Sequence, residues 1–357
     1  MFKEGDKFDG LKLLKHCGTG GFGSVFYCED FSGKKRAVKI ISKVQIGDSW
    51  KRELKGVRIY QRITGNNPEL LQIYHVKDDK EYFYYTMEPA DPVPSSESYI
   101  PDTLAFRLQK KPLPEKELFP VLSKVFQGLK VIHDNGCTHR DIKPENILFV
   151  NGIPKLADIG LVSSLTVSMT HMAGTLDYIP PEIRASNDPA DTTEQRQRND
   201  LYALGMVIYC AVSGMSPKKF PSLPGNIDLI SSPAIKYFSN LANELCDTEP
   251  EQRISSIEKV EQEFRRIAEI LRYGDDWIVK SNYAIHRLNR RGKSIFSRIG
   301  IWLSKYSWLV ILLIVLTVFL CFHFSGKKSQ SGQVRPVFIE LKHESPNLLQ
   351  RLYNAIF

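Results

Sequence analysis

"HRDIKPENILF", residues 139–149, followed by "DIG" at 158–160, sets a cluster of polar side chains against an apolar run. Asp141, Lys143, Asn146 and Asp158 place two acids, a base and an amide within eighteen residues. Singly, each is what a solvated turn carries. Whether they form one centre depends on what the rest of the chain sets opposite them.

Composition narrows the field. The 357 residues are 42% apolar and 25% charged, an ordinary globular proportion, enough for one large or two medium domains. The net charge of +8 is unevenly distributed. From His286 onward eleven Lys and Arg face two acids, a net +9, which leaves the first 285 residues at −1. A basic excess confined to the flanks of one apolar segment points to a membrane surface and not to nucleic acid. The six cysteines are scattered without a CxxC pair, so neither a zinc site nor a disulfide framework is indicated.

That apolar segment is an uncharged window of twenty-one residues, 306–326, long enough as a helix to cross about 30 Å of hydrocarbon. Trp302, Tyr306 and Trp308 suit its interfacial end. The alternative, a buried core helix, is usually shorter. The tail ends in "SPNLLQRLYNAIF", apolar on one helical face and suited to a membrane or a partner, though chance gives the same pattern in a short tail.

Ahead of the span, two textures follow one another. Residues 8–90 hold strand-like pieces ("LKLLKHC", "SVFYCED", "KRAVKII", "ELLQIYHV", "EYFYYTME") and one helical stretch, Asp48–Ile63. From Pro114 the spacing becomes helical, as in "PEKELFPVLSKVFQGLKVIHDNG" with its Gly stop. A small β-rich lobe followed by a larger helical lobe predicts a cleft between them.

The first lobe carries two further signals. "GTGGFGSV" sets Gly18, Gly20, Gly23 and Val25 in a GxGxxGxV spacing, whose bare backbone lets N–H groups approach a phosphate. A strand follows it, where a dinucleotide fold needs a helix. "AVKI" places Lys39 inside an apolar strand, costly unless the ammonium is paired. Glu53 on the following helix is a suitable partner; an edge lysine and an exposed helix glutamate are the plain alternatives.

Taken in order, the Gly-rich loop, the Ala37-Val-Lys39 strand, "HRDIKPEN" and a DxG triplet resemble the signature set of the eukaryotic-type serine/threonine protein kinases, from about Phe8 to about Leu271. "GTLDYIPPE" resembles the end of an activation segment, "DLYALG" the structural helix beyond it, and "EQRIS" carries Arg253 where the family pairs an Arg with the motif glutamate, here Glu182.

The resemblance implies an α+β, bilobal protein-kinase fold, with a β-rich lobe at about 8–88 and a helical lobe at about 91–271. A basic linker (272–305), one transmembrane helix (306–326) and a short tail (327–357) follow. It implies ATP and Mg²⁺ as cofactors and protein Ser/Thr hydroxyls as acceptors. Lys39, held by Glu53, would bind the α- and β-phosphates; Asp158 and Asn146 would bind Mg²⁺; Asp141 would accept the hydroxyl proton; Lys143 would offset charge on the transferred group. Gly18, Gly20, Gly23, Val25 and Ala37 would enclose the nucleotide, with adenine on the backbone of Met87, Glu88, Pro89 and Ala90.

Two departures matter. Ile159 stands where the family has Phe or Leu, which implies altered switching with the metal ligand kept. Pro181 adds a second proline beside the motif glutamate and only stiffens the loop. Arg140 implies a receptor for a phosphorylated activation-loop residue, and residues 161–173 offer Ser163, Ser164, Thr166, Ser168 and Thr170. The whole then reads as a single-pass membrane protein with a cytoplasmic kinase domain. Homodimerisation stays open, although the span has no GxxxG pattern. The competing reading is a membrane-anchored pseudokinase that binds nucleotide or scaffolds; Ile159 is the residue that favours it.

Overall fold

Residues 35–42 alternate between the two sides of a strand, and that alternation organises the first lobe. The computed structural model describes residues 2–20, 23–47, 49–65, 67–94, 96–109, 111–157, 176–185, 192–225 and 232–274. These residues belong to one unit, Met1–Asn289; a second, Arg290–Phe357, lies outside the described residues, as do Asp158, Ile159, the stretch 161–173 and the expected span at 306–326. Among the described residues no helix is long and apolar enough to cross a membrane.

The first lobe is a six-stranded antiparallel sheet in the order β1-β2-β3-β4-β6-β5. Its strands are β1 (Lys7–Phe8), β2 (Leu11–Gly20), β3 (Gly23–Glu29), β4 (Lys35–Ser42), β5 (Ile73–Asp78) and β6 (Tyr82–Met87). Between β4 and β5 lie a short α1 (Lys43–Ile46) and the longer α2 (Ser49–Thr64). One face of the sheet carries Leu11, Leu13, Phe26, Cys28, Val38, Ile40 and Tyr84 under Phe2, Phe8 and Tyr82. The alternate residues, Val25, Ala37, Ile41, Phe83, Tyr85 and Met87, join the other core with Leu54, Val57 and Tyr60 of α2. Period-two geometry therefore puts Lys39, between Val38 and Ile40, on the face of Val25, Ala37 and Met87. Cross-strand register aligns Tyr27, Ala37 and Met87 in one row and Val25, Lys39 and Tyr85 in the next.

Sequence and structure part company at Glu69–Gln72, which the apolar spacing assigns to a strand. β5 begins only at Ile73. The preceding backbone is used by the second lobe: Leu156 N donates to Glu69 O at 3.0 Å, and Leu71 N to Leu156 O at 2.9 Å.

The second lobe comprises α3 (Leu104–Leu108), α4 (Glu115–Asp134), a hairpin β7 (Ile147–Val150) and β8 (Ile153–Leu156), then α5 (Pro181–Ala185), α6 (Thr193–Ser213), α7 (Pro233–Leu245) and α8 (Ile257–Tyr273). In α4 the buried Leu118, Val121, Leu122, Val125, Phe126, Leu129 and Ile132 follow helical spacing. Gly136, just past its end, adopts φ +68° and turns the chain into the 139–146 loop. α6 is buried on all sides from Asp200 to Ser213, which makes it the axis of the lobe. Gly205 lets α7 approach it: a Cβ there would lie 2.5 Å from Cys246 Sγ and 2.7 Å from Leu245 Cβ. β7 and β8 are joined by Asn151-Gly152 at φ +51° and +73°, the left-handed pair a tight hairpin requires.

Candidate active site

The loop between α4 and β7 is held from below by one carboxylate. Asp200 of α6 is 2% exposed. Its Oδ2 accepts from His139 N at 2.7 Å and its Oδ1 from Arg140 N at 2.7 Å; His133 Nε2 lies 3.0 Å from Oδ2. Arg140 sits at φ +70°, a strained conformation for a residue with a Cβ, so the two charge-assisted hydrogen bonds hold a backbone that would otherwise relax. Arg140 Nε also donates to Thr138 Oγ1 at 3.0 Å.

This support presents Asp141. Its Oδ2 accepts from Lys143 Nζ at 2.8 Å and from Asn146 Nδ2 at 2.8 Å, and the same amide donates to Asp141 O at 2.8 Å. Asp141 Oδ1 is buried and takes no hydrogen bond among the described residues. Two donors on one oxygen fix the carboxylate's orientation and leave the other with its lone pairs uncommitted. Asn146, 8% exposed, also binds the next segment: its carbonyl accepts from Ala157 N at 2.9 Å. Tyr60 of α2 donates to Leu156 O at 3.0 Å. The backbone leading to Asp158 is thus tied to both lobes. Asp158 itself, expected as a metal ligand, lies outside the described residues.

Across the cleft, Lys39 on β4 is 5% exposed and Glu53 on α2 is 3% exposed. An ammonium and a carboxylate buried to this degree in one lobe need compensation, as the sequence implies. Gly18 and Gly20 stand near the C-terminal end of β2, opposite Val25 and Gly23. A Cβ on Gly23 would collide with the Ile40 carbonyl, so the start of β3 lies this close to β4 only with glycine.

The linker between the lobes is Met87–Ala90. Met87 is buried in the core, and the Glu88 carboxylate is held by Lys155 of β8. Its oxygens accept from Lys155 Nζ at 2.9 and 2.7 Å, and Oε2 also accepts from Gln72 N at 3.0 Å. Glu88 N donates to Gln72 O at 3.0 Å. That leaves Glu88 O and Ala90 N–H without a hydrogen bond among the described residues, an acceptor and a donor two residues apart. Unused backbone groups beside a buried residue call for a partner.

Further out, Arg253 donates through Nη1 and Nη2 to the two oxygens of Glu182, and through Nε to Asp247 O at 2.7 Å. Burial alone would raise the Glu182 pKa, but these hydrogen bonds hold the carboxyl below its ordinary value. The expected pair is formed. Burial, then the neighbouring Arg196, lowers the Arg140 pKa against the opposing pull of Asp200.

Some supporting residues escape a reading of the sequence alone. Asp200 stands out there only as the start of "DLYALG"; its role depends on a fold that returns α6 beneath residues 139 and 140. The Glu88–Lys155 pair, both side chains nearly buried, likewise has no local signal.

A β-rich lobe bearing a glycine hairpin and a buried lysine, facing a helical lobe that presents an oriented aspartate, defines the two-lobed phosphotransferases. The chain belongs to the protein kinase domain family, whose model matches residues 11–265. It is 30% identical over 230 residues to the MAP kinase-interacting serine/threonine-protein kinase mnk-1 of Caenorhabditis elegans, covering 59% of this chain and 31% of that protein. It is 27% identical over 273 residues to the serine/threonine-protein kinase cds1 of Schizosaccharomyces pombe, covering 70% and 57%. It is also 27% identical over 279 residues to serine/threonine-protein kinase D of Synechocystis, covering 71% and 51%. The match therefore spans less than two thirds of the length of each of these relatives.

Proposed function

We propose that the chain is an ATP-dependent serine/threonine protein kinase. The observation that carries this reading is Asp141, with Oδ2 fixed by Lys143 and Asn146 and the buried Oδ1 left open among the described residues. A buried acceptor without a partner costs stability, and in a cleft that cost is explained by a ligand that donates to it. A substrate hydroxyl supplies that donor and passes its proton to Oδ1 as it attacks. Bound Mg-ATP supplies the phosphoryl group and its leaving group.

This chain's residues position the reactants. Lys39, kept in place by Glu53, offsets charge on the α- and β-phosphates. Asn146 and Asp158 take the Mg²⁺ ions. Lys143 offsets charge on the transferred group, and Gly18, Gly20, Gly23, Val25 and Ala37 close over the nucleotide. Glu88 O and Ala90 N–H receive adenine. Serine and threonine as acceptors are supported by the names of the relatives and by Lys143 in "HRDIKPEN". Transfer of radiolabelled phosphate from ATP to protein substrates, with phosphoamino-acid analysis, tests the reading. Serine or threonine label that Asp158→Ala abolishes supports it, and equal background label in both proteins sinks it.

Three finer points complete the proposal. Arg140, close enough to Arg196 for mutual repulsion, receives a phosphate from autophosphorylation within 161–173. Mass spectrometry after incubation with Mg-ATP that finds no phosphate there would refute this. Residues 306–326 anchor the chain in a bilayer, with the kinase domain on the cytoplasmic side where ATP is abundant. Recovery of the full chain in the soluble fraction after alkaline extraction would contradict the anchor. A homodimer formed in the membrane would give clustering as the input signal, and single-molecule counting in vesicles distinguishes it from a monomer.

A further inference from the structure

The outward face of α2 carries charges that neither the cleft nor the core uses. Its inner face is fixed: Leu54, Val57 and Tyr60 join the core with Ile41, Phe83 and Tyr85 of the sheet, and Gln61 Nε2 donates to Tyr74 O of β5 at 3.3 Å. On the opposite side stand Lys51, Lys55, Arg58 and Arg62, all exposed. Their 4-3-4 spacing keeps them within an arc of about 60° on a helix of 3.6 residues per turn, in a single row about 16 Å long.

Nothing on α2 or the strand beside it neutralises this row. Glu53, the only acid of α2, is buried on the inner side. Asp78, the only acid of β5, is taken by Lys43 Nζ at 2.5 Å. Lys55, Arg58 and Arg62 form no ion pair among the described residues. Like charges three and four residues apart repel and weaken a helix. Lys51 also adds a cation to a first turn that holds no acid, against the helix dipole. Because the first 285 residues sum to −1, the row is a local concentration and not part of a generally basic domain.

Uncompensated cations that cost helix stability are accounted for by an anionic ligand lying along them, and the shape of the row selects the ligand. A flat surface meets a cylinder along one line, and the four cations occupy such a line, so a plane of anionic headgroups reaches all four at once. Nucleic-acid duplexes are held by about six to ten phosphate contacts, more than this row supplies. A peptide helix docks through apolar anchors, and the row holds only cations. We propose that this face of α2 rests on anionic lipid headgroups, with Lys51, Lys55, Arg58 and Arg62 as the contact residues. The inference rests on the proposed bilayer anchor for proximity only. Each cation near an anionic leaflet shifts the docking equilibrium about fivefold, so the four favour the docked domain by roughly 10²–10³-fold before the cost of orienting it.

The test reconstitutes the full chain in phosphatidylcholine vesicles, with and without about a third phosphatidylserine, and labels it with a membrane-impermeant amine reagent. Mass spectrometry reads the labelling of Lys55 relative to Lys116, an exposed lysine of α4 in the second lobe. In the wild type, phosphatidylserine lowers that ratio about tenfold at about 0.1 M salt, and about 1 M salt restores it. Arg58→Glu/Arg62→Glu, which cancels the charge of the row, gives the same ratio in both vesicles. Its Tm and its phosphotransfer in neutral vesicles stay those of the wild type, since neither residue lies in the cleft or the core. A ratio that phosphatidylserine leaves unchanged in the wild type, or lowers equally in the variant, overturns the assignment. So does protection of Lys55 by added polyglutamate or duplex DNA but not by phosphatidylserine, which would give the row to a protein or a nucleic acid. Failure of the anchor reads differently: the chain then does not float with neutral vesicles. The row is still tested by flotation with the anionic ones, which the wild type binds and the variant does not. Binding by neither, or by both alike, overturns the row as well.

Discussion

Replacing Asp200 with alanine should disable the loop that carries Asp141 without touching a residue of the reacting site. The buried carboxylate accepts two backbone N–H groups at 2.7 Å, from His139 and Arg140, and stands 3.0 Å from His133 Nε2. Alanine leaves the two N–H donors beside buried His139 and partly buried Arg140 without an acceptor, at about 1–3 kcal/mol each. It also releases Arg140 from φ +70°, a conformation that costs about 1–3 kcal/mol to maintain. That release of strain offsets part of the loss, so the net destabilisation is about 2 kcal/mol. For a domain of this size that lowers Tm by roughly 4–8 °C. The same relaxation displaces Asp141, and a shift near 1 Å costs about a hundredfold in kcat. Asp200→Asn keeps one acceptor oxygen and loses about half as much stability. Thermal melts and steady-state kinetics on the three proteins, with ATP affinity by calorimetry, separate the effects: Tm and kcat fall while the Kd for ATP moves little. A Tm within about a degree of the wild type for Asp200→Ala, together with unchanged kcat, would refute the view that this carboxylate holds the loop.

Two other perturbations follow from the same geometry. The Glu182 carboxyl is held below its ordinary value of 4.5, so its contribution to stability is present above that pH and is lost as pH falls through the lower folded-state value. Wild type should therefore exceed Glu182→Gln in Tm at pH 7, with the gap closing below about pH 4.5; a gap that widens on acidification would be inconsistent with the Arg253 pairing. Lys155→Met strands the nearly buried Glu88 carboxylate and should cost about 3 kcal/mol. Adding Glu88→Gln should recover more than half of that, and strictly additive losses in chemical denaturation would show that the pair is not coupled.

Much of the architecture can be read from local pattern. Alternation in "KRAVKII" and helical spacing in "PEKELFPVLSKVFQGLKVIHDNG" correspond to β4 and α4, and Gly136 ends the helix with a left-handed turn. The site residues are equally visible because short-range chemistry dictates them: Asp141, Lys143 and Asn146 lie close enough in the chain to meet in one loop. What stays hidden depends on long-range return of the chain. Glu69–Gln72 look like a strand because their apolar spacing says nothing of which backbone they will pair with, and that proves to be β8. Asp200 reaches the backbone of His139 across sixty-one positions. Tyr99 is one aromatic in a polar loop, and nothing nearby announces that its hydroxyl will meet Ala90 O.

The central claim is that Asp141 accepts the proton of a protein hydroxyl in phosphoryl transfer. Its most direct test sets phosphotransfer beside nucleotide affinity for the wild type and Asp141→Asn. The substitution keeps the size of the side chain and an oxygen for Lys143 while removing the base. The account predicts a Kd for Mg-ATP within about threefold of the wild type and a kcat lower by about 10²–10⁴. Equal rates of transfer in the two proteins, or background transfer in both despite ATP binding, would contradict it.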